Sequence, residues 1–179
     1  MTDMTLTPSR LWKRMTFEQR QRAARAFWQG EEAADDQMQA ALLIAQQKKF
    51  RPKTVIALDI DRKARHLASI GVLPSTLAGR ALILYHLADH RSMMSAFLDA
   101  LGIAHDNGLI KEEHVTPDPA KIAPAVSRLS QQFDPDDVQL YLNTLLCQDP
   151  EAWAPLLHLP LFEDESAGTA GSAGGAGEA

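Results

Sequence analysis

Two histidines and an aspartate on one predicted helix are the residues whose types and spacing could support chemistry. They lie in the segment His86-Leu87-Ala88-Asp89-His90. Side chains four positions apart in a helix lie on the same face, about one turn from each other, so the two imidazoles could share one metal ion. Asp89, and His105 from the irregular segment that follows, could complete the ligand set. The metal would be zinc or iron, and the chain would then be a metal-binding protein or a metal-dependent enzyme.

The same segment also has a purely structural interpretation. His86 could hydrogen-bond a neighbouring carbonyl near the end of an apolar helix, and His90 suits the negative end of the helix dipole. The pattern is similar to the H-x-x-E-H signature of one group of zinc proteases, but Asp89 replaces the glutamate that acts there as general base. We therefore favour the structural interpretation and keep metal binding as the alternative.

A basic N-terminal region with aromatic residues is the second candidate site. Its predicted partner-binding residues are Trp12, Arg14, Arg20, Arg22, Arg25 and Trp28. A basic amphipathic helix can bind an acidic protein groove, nucleic acid or a membrane surface. The alternative is a solvated helix face that pairs with the acidic second half of the chain. We expect a protein partner or self-association rather than nucleic acid, because the total charge is negative.

Charge is distributed unevenly between the two halves of the chain. Residues 1–80 contain 14 Lys/Arg and 8 Asp/Glu, whereas residues 81–179 contain 4 and 15. The formal net charge of all 179 residues is −5. This asymmetry can indicate an anionic partner for the basic half, or attraction between the halves within one molecule or between two. At this net charge, long-range attraction towards nucleic acid would be weak.

Composition narrows the class of protein further. The hydrophobic fraction of 45% and charged fraction of 23% are those of an ordinary globular domain. The single cysteine, Cys147, excludes an internal disulfide framework and a multi-cysteine zinc or iron–sulfur site. No apolar run is long enough for a membrane span, and residues 1–10 lack a signal-peptide pattern, so we expect a cytoplasmic location. No phosphate-binding loop, G-x-S-x-G or C-x-x-C motif indicates an enzyme class.

Hydrophobic periodicity predicts an all-α fold. Apolar residues recur every three or four positions over residues 8–160, which predicts one domain of seven to nine helices in a compact bundle or a short helical array. The third helix should run from about Glu31 to Lys49. Its predicted buried stripe consists of Ala34, Met38, Ala41, Leu42 and Ala45. The Gly/Ala-rich residues 163–179 cannot bury enough apolar surface to order themselves, so we predict a disordered tail.

Local motifs predict where several elements begin. The alternating segment Thr54–Ile60 could form a strand, but it has no partner strand, so we predict a helical turn followed by a helix capped by Asp59. Asn107-Gly108 could form the turn of a short hairpin. Three Asp-Pro pairs predict helix starts, because aspartate caps the free amides and proline suits the first helical position. They are Asp118-Pro119, Asp134-Pro135 and Asp149-Pro150.

The sequence thus favours a non-enzymatic protein–protein interaction or regulatory module. Helices with complete apolar stripes leave little room for a reaction centre, and no catalytic residue is predicted. The metal-binding alternative depends on whether His86 and His90 meet a third ligand. No family is identified from these residues.

Overall fold

The computed structural model describes residues 6–31 and 33–162. Within them the all-α prediction is confirmed, with nine α-helices, one 3₁₀-helix and one two-stranded hairpin. The α-helices are α1 (Pro8–Arg14), α2 (Phe17–Gln29), α3 (Ala34–Lys48), α4 (Pro52–Ala57), α5 (Ile60–Ala68), α6 (Ser75–Asp89), α7 (Arg91–Leu101), α8 (Pro119–Gln132) and α9 (Pro135–Gln148). The hairpin consists of β1 (His105–Asp106) and β2 (Leu109–Ile110), and the 3₁₀-helix spans Ala154–His158.

Helix starts follow the capping motifs of the sequence. Thr16 and Gln19 form a reciprocal capping box at α2, with hydrogen bonds of 3.0 and 3.1 Å. Asp59 caps α5, so the helical interpretation of residues 54–60 is confirmed. The first two Asp-Pro pairs begin α8 and α9. The third differs, because Asp149 accepts a hydrogen bond from the Ala152 amide in a turn that leads into the 3₁₀-helix.

Two apolar clusters form the core. The first contains buried residues from α1 to α6, and the second contains those of α7, α8, α9 and the 3₁₀-helix. Two helices connect them: Leu140 of α9 belongs to the first cluster, and Leu87 of α6 packs against the second. Leu6 packs against both. The carboxyl-terminal end of α6 and the middle of α9 therefore lie at the junction of the two clusters.

The orientation of α3 differs from the predicted one. Met38 and Leu42 are 48% and 50% exposed, whereas Ala40, Ala41, Ile44 and Ala45 are buried. The cause is a tertiary contact. The Gln37 side-chain amide donates to the carbonyls of Phe27, Trp28 and Gly30 at the end of α2, at 3.0, 3.3 and 2.8 Å. This contact satisfies the free carbonyls of α2 and turns the small-residue face of α3 inward.

The hairpin is held tightly against α7. Asn107 and Gly108 have φ angles of 47° and 91°, as a two-residue turn of type I′ requires. A Cβ atom at Gly108 would lie 2.6 Å from the Cβ of Met94, so only glycine fits there. Arg91 of α7 donates to the Asn107 carbonyl at 3.2 Å. The hairpin predicted from Asn107-Gly108 is confirmed, and it forms a fixed wall beside α7.

Three further predictions concern the tail, membrane-spanning helices and the domain boundaries. Residues 163–179, predicted as a disordered tail, lie outside the described residues. Within the described part of the chain, no helix combines the length and apolar character that a membrane crossing demands. The single-domain boundaries at residues 8 and 160 stay a prediction.

Candidate functional site

The two histidines of the H-x-x-D-H segment meet at the junction of the apolar clusters. Their Nδ1 atoms lie 3.1 Å apart, and His86 is 1% exposed. The Nε2 atom of His86 lies 3.0 Å from the Thr144 hydroxyl on α9. On the other side, the Nε2 atom of His90 lies 3.4 Å from a carboxylate oxygen of Asp137. A continuous row of polar groups therefore runs between α6 and α9.

The Thr144 hydroxyl determines where the protons of this row lie. It donates its only proton to the Leu140 carbonyl at 2.8 Å, so it accepts the Nε2–H of His86. A neutral His86 with a proton on Nε2 has a bare Nδ1, which accepts the Nδ1–H of His90. The Nε2 atom of His90 faces Asp137 on the other side of the row. The geometry therefore favours a neutral His86 with its proton on Nε2.

Burial keeps Tyr85, His86 and Tyr141 neutral. Burial, together with a smaller effect of the neighbouring His90, lowers the pKa of His86 to about 3. Burial raises the pKa of Tyr85 to about 12, with the charges of Asp137 and Asp89 acting in the same direction. Burial also raises the pKa of Tyr141. These three side chains can form hydrogen bonds, but their pKa values do not suit proton transfer near neutral pH.

The predicted metal-ligand set is not assembled. Of its four members only His86 and His90 come together, and Asp89 is exposed. His105 lies in β1, where its Nδ1 accepts from the Gly108 amide at 3.1 Å and its Nε2 lies 2.9 Å from Asp99. Residues 6–31 and 33–162 contain no group of three or more His, Cys, Asp or Glu side chains that could hold a metal ion. A zinc or iron ion on His86 and His90 would lack a third protein ligand from this part of the chain.

The two tryptophans predicted to bind a partner are core residues, which corrects that assignment. Trp12 is 0% exposed, and its indole N–H donates to the Ile70 carbonyl at 2.8 Å. Trp28 is buried, packs edge-on against Phe27 and is covered by the Lys63 ammonium 5.1 Å from its ring. Their aromatic surface is therefore used for packing α1 and α2 into the first cluster.

The predicted partner-binding arginines are largely engaged within the chain. Arg22 pairs with Glu18 at 3.0 Å and hydrogen-bonds Tyr85, and Arg25 pairs with Asp61 of α5. Arg20 donates to the Ile70 carbonyl at 3.5 Å. The Arg20 and Arg25 contacts are with the first half of the chain, whereas Arg22 also lines a cleft with Asp134, Asp136 and Asp137 of the acidic second half.

The fourth arginine of this set faces the other half of the molecule. Arg14 is exposed and lines a cleft of about 220 Å³ between α1, α2 and α9. Asp136 of α9 lines the same cleft. Arg14 and Asp136 therefore face the same cleft, and attraction between the two halves stays a prediction.

A different basic surface, not singled out in the sequence, lies where α3 ends and α5 continues. We call it the basic–apolar face and define it by Lys48, Phe50, Arg62, Arg65 and His66. The rings of Phe50 and His66 meet edge-on with centroids 5.6 Å apart, and Phe50 is 40% exposed. Burial lowers the pKa of His66, and the positive charges of Lys48, Arg65 and Arg62 lower it further. Three cationic side chains thus lie close enough to His66 to lower its pKa, and His66 in turn contacts the exposed Phe50 ring.

The sequence that follows Lys48 exposes further basic and apolar side chains. Lys49, Arg51 and Lys53 are exposed and flank Phe50 in sequence. Ile56 of α4 and Ile60 of α5 are exposed as well. The run Lys48-Lys49-Phe50-Arg51-Pro52-Lys53 was the available sequence clue, but lysines at a helix end have an ordinary explanation in the helix dipole.

Comparisons with known proteins add no further information about this site. No family model matches the chain, and no curated protein or solved structure is significantly similar to it.

Proposed function

We propose that this chain is a non-enzymatic interaction module of the cytoplasm, and that its basic–apolar face binds an acidic, partly apolar segment of a protein partner. The observation that supports this proposal is the edge-on contact of exposed Phe50 with His66, beside the exposed cations Lys48, Arg62 and Arg65 that lower the pKa of His66. This arrangement is similar to that of protein–protein interfaces, in which aromatic residues lie at the centre and charged residues lie at the rim.

Within the described residues, the cations of this face form few ion pairs. Arg62 approaches Asp59 at 3.4 Å, but both side chains are more than half exposed. Exposed pairs of this kind contribute about 0–1 kcal/mol, because water screens them. A partner carboxylate that also covers Phe50 would be partly shielded from water, which strengthens the attraction.

A protein partner suits the face better than nucleic acid does. Exposed Phe50 offers an apolar contact, which the phosphate backbone of a duplex does not use. An acidic peptide with interspersed apolar side chains matches both the charge and the apolar area.

Lys49 provides a second, independent argument. Its φ of 55° lies in the left-handed region. At the end of a helix, this backbone conformation is lower in free energy for glycine than for lysine. Residues held in such conformations occur often at binding sites. A lysine at this position keeps one more positive charge beside Phe50 at the expense of helix stability.

A fluorescent acidic peptide tests the proposal. The probe is a fluorescein-labelled peptide of alternating glutamate and leucine, and its binding is followed by fluorescence anisotropy at low salt. The double variant Lys48→Glu/Arg65→Glu should bind at least about tenfold more weakly, since each reversal removes roughly 1 kcal/mol of attraction. The control Lys111→Glu/Lys121→Glu makes the same charge change at exposed positions of the other half and should bind within about twofold of the wild type.

Two probes give the outcomes that would overturn the proposal. Tighter binding of a DNA duplex or of phosphatidylserine vesicles than of the peptide would assign the face to another class of partner. The variant Arg14→Glu/Arg22→Glu gives a further outcome. If it loses peptide binding while Lys48→Glu/Arg65→Glu still binds, the binding site lies on the N-terminal helices instead. Circular dichroism confirms that each variant is folded.

A further inference from the structure

A small cavity lies beside the His86–Thr144 pair. Its volume is about 160 Å³, and α6, α7, α9 and the hairpin all contribute to its wall. The residues that line it are mostly apolar, including Ile83, Met94, Ile110 and Leu145. Leu109 and Gln148, which also line it, are exposed, so the cavity reaches the surface between the hairpin and α9.

The polar groups of this cavity are few and convergent. His86, Tyr141 and Thr144 line it, and the first and last of these already hydrogen-bond each other. The Tyr141 hydroxyl is different: it is buried and has no hydrogen-bond partner among the described residues. An unpaired buried hydroxyl costs roughly as much as a lost hydrogen bond, so a partner in the cavity would be favoured.

The wall also determines which charge a ligand can carry. No lysine, arginine, aspartate or glutamate of the described chain lines the cavity. The nearest titratable row, His86 to His90, ends at Asp137, which does not line it. A charged ligand would lose its hydration without gaining an opposite charge, whereas a neutral one would not.

The size of the cavity limits the ligand to one ring. A cavity of about 150 Å³ with an apolar lining accommodates benzene. The Tyr141 and His86 rings and the Met94 thioether offer favourable contacts for an aromatic ring.

We propose that this cavity is a binding site for a small, uncharged, monocyclic molecule that accepts a hydrogen bond from the Tyr141 hydroxyl. The hairpin, fixed to α7 by Gly108 and Arg91, forms the outer wall of the site. The site lies between α6 and α9, and it is independent of the basic–apolar face, so failure of either proposal leaves the other intact.

Phenol and toluene test this site, because they have nearly the same shape and differ in the hydroxyl. Both are titrated into the full chain and followed by ¹H–¹⁵N NMR, with benzoate as the charged probe. We expect saturable shifts at the α6–α9 junction with phenol and toluene, and none with benzoate. In Tyr141→Phe the ratio of phenol to toluene affinity should fall about fivefold, the value of one neutral hydrogen bond.

A matched control uses the other tyrosine of the chain. Tyr85→Phe removes a buried hydroxyl that hydrogen-bonds Arg22, and the affinity ratio should stay within about twofold of wild type. Ile83→Phe adds a ring to the cavity wall and should abolish binding of both probes. Absence of saturable binding up to the solubility limit of the probes would overturn the proposal. So would an unchanged affinity ratio in a folded Tyr141→Phe variant.

Discussion

At the scale of single residues, the buried row from Asp137 to Thr144 gives His86 its properties. Its Nε2–H is used by Thr144 and its Nδ1 by His90, so the neutral ring has both nitrogens satisfied. Protonation would leave a charge in the apolar junction and break the contact to His90. The spacing of the two histidines predicted their proximity. It could not predict Thr144 or Asp137, which α9 brings from more than 45 positions away.

This arrangement predicts a stability that depends on pH. His86 has a pKa near 6.5 when unfolded and about 3 when folded, so the unfolded state binds more protons between these values. The stabilisation is complete above pH 6.5 and is lost as the pH falls towards 3, with a slope of up to about 1.4 kcal/mol per pH unit. Urea unfolding at a series of pH values measures it.

The contribution of His86 is isolated by substitution. His86→Phe removes the titrating group, so its stability curve should be flatter than that of the wild type between pH 6.5 and 3. His158→Gln, at an exposed histidine, should leave the curve unchanged. Parallel curves for wild type and His86→Phe would show that the folded-state pKa of His86 is not depressed.

At the scale of elements, capping motifs located helix starts well and tertiary contacts decided which faces are buried. The Asp59 cap correctly predicted α5, and the first two Asp-Pro pairs correctly predicted α8 and α9. The face of α3 was mispredicted, because Gln37 turns it towards α2 and leaves Met38 and Leu42 outside. Periodicity alone cannot distinguish two adjacent stripes when alanines lie in both.

The end of α3 gives a prediction in which stability and binding move in opposite directions. Lys49→Gly relieves the left-handed backbone strain, so unfolding free energy should rise by about 0.5–1 kcal/mol in thermal or urea unfolding. The same variant removes a charge beside Phe50, so it should bind the acidic peptide more weakly. Lys49→Ala is the control, since it removes the charge but retains the strain. A Lys49→Gly variant less stable than Lys49→Ala would contradict the assigned backbone conformation.

At the scale of the whole molecule, α6 and α9 join two apolar clusters into a common core. Each cluster contains tryptophan: Trp12 and Trp28 in the first, Trp153 in the second. The sequence predicted one helical domain over residues 8–160, but it could not show that the core is divided and that polar side chains lie at the division. That arrangement depends on which helices pack against each other, and the hydrophobic periodicity of single helices does not predict this.

Coincident unfolding tests this single-domain prediction. Variants that retain only Trp153, or only Trp12 and Trp28, with phenylalanine at the other positions, report on one cluster each by fluorescence. We expect each variant's fluorescence and circular dichroism to give the same urea midpoint, since Leu140 and Leu87 tie the clusters together. A urea midpoint from tryptophan fluorescence that lies below the midpoint from circular dichroism, in either variant, would indicate that the two clusters unfold as independent units.

The structure shows what the basic side chains of the first half of the chain contact. Arg22 and Arg25 of α2 pair with Glu18 and Asp61, while cations at the end of α3 and in α5 act on His66, which contacts Phe50. The N-terminal basic region was the basic binding site predicted from the sequence, but in the structure it is a weaker candidate than the basic–apolar face. Sequence alone could not show which arginine side chains are paired within the chain.

Mapping the acidic glutamate–leucine peptide onto the chain by ¹H–¹⁵N NMR tests the central claim most directly. We predict that amide shifts concentrate at Lys48–Lys53 and around Arg62–His66, and that added salt reverses them as screening weakens the attraction. Shifts concentrated in α1 and α2, or spread evenly over all exposed cations, would contradict the claim that the basic–apolar face is the binding surface.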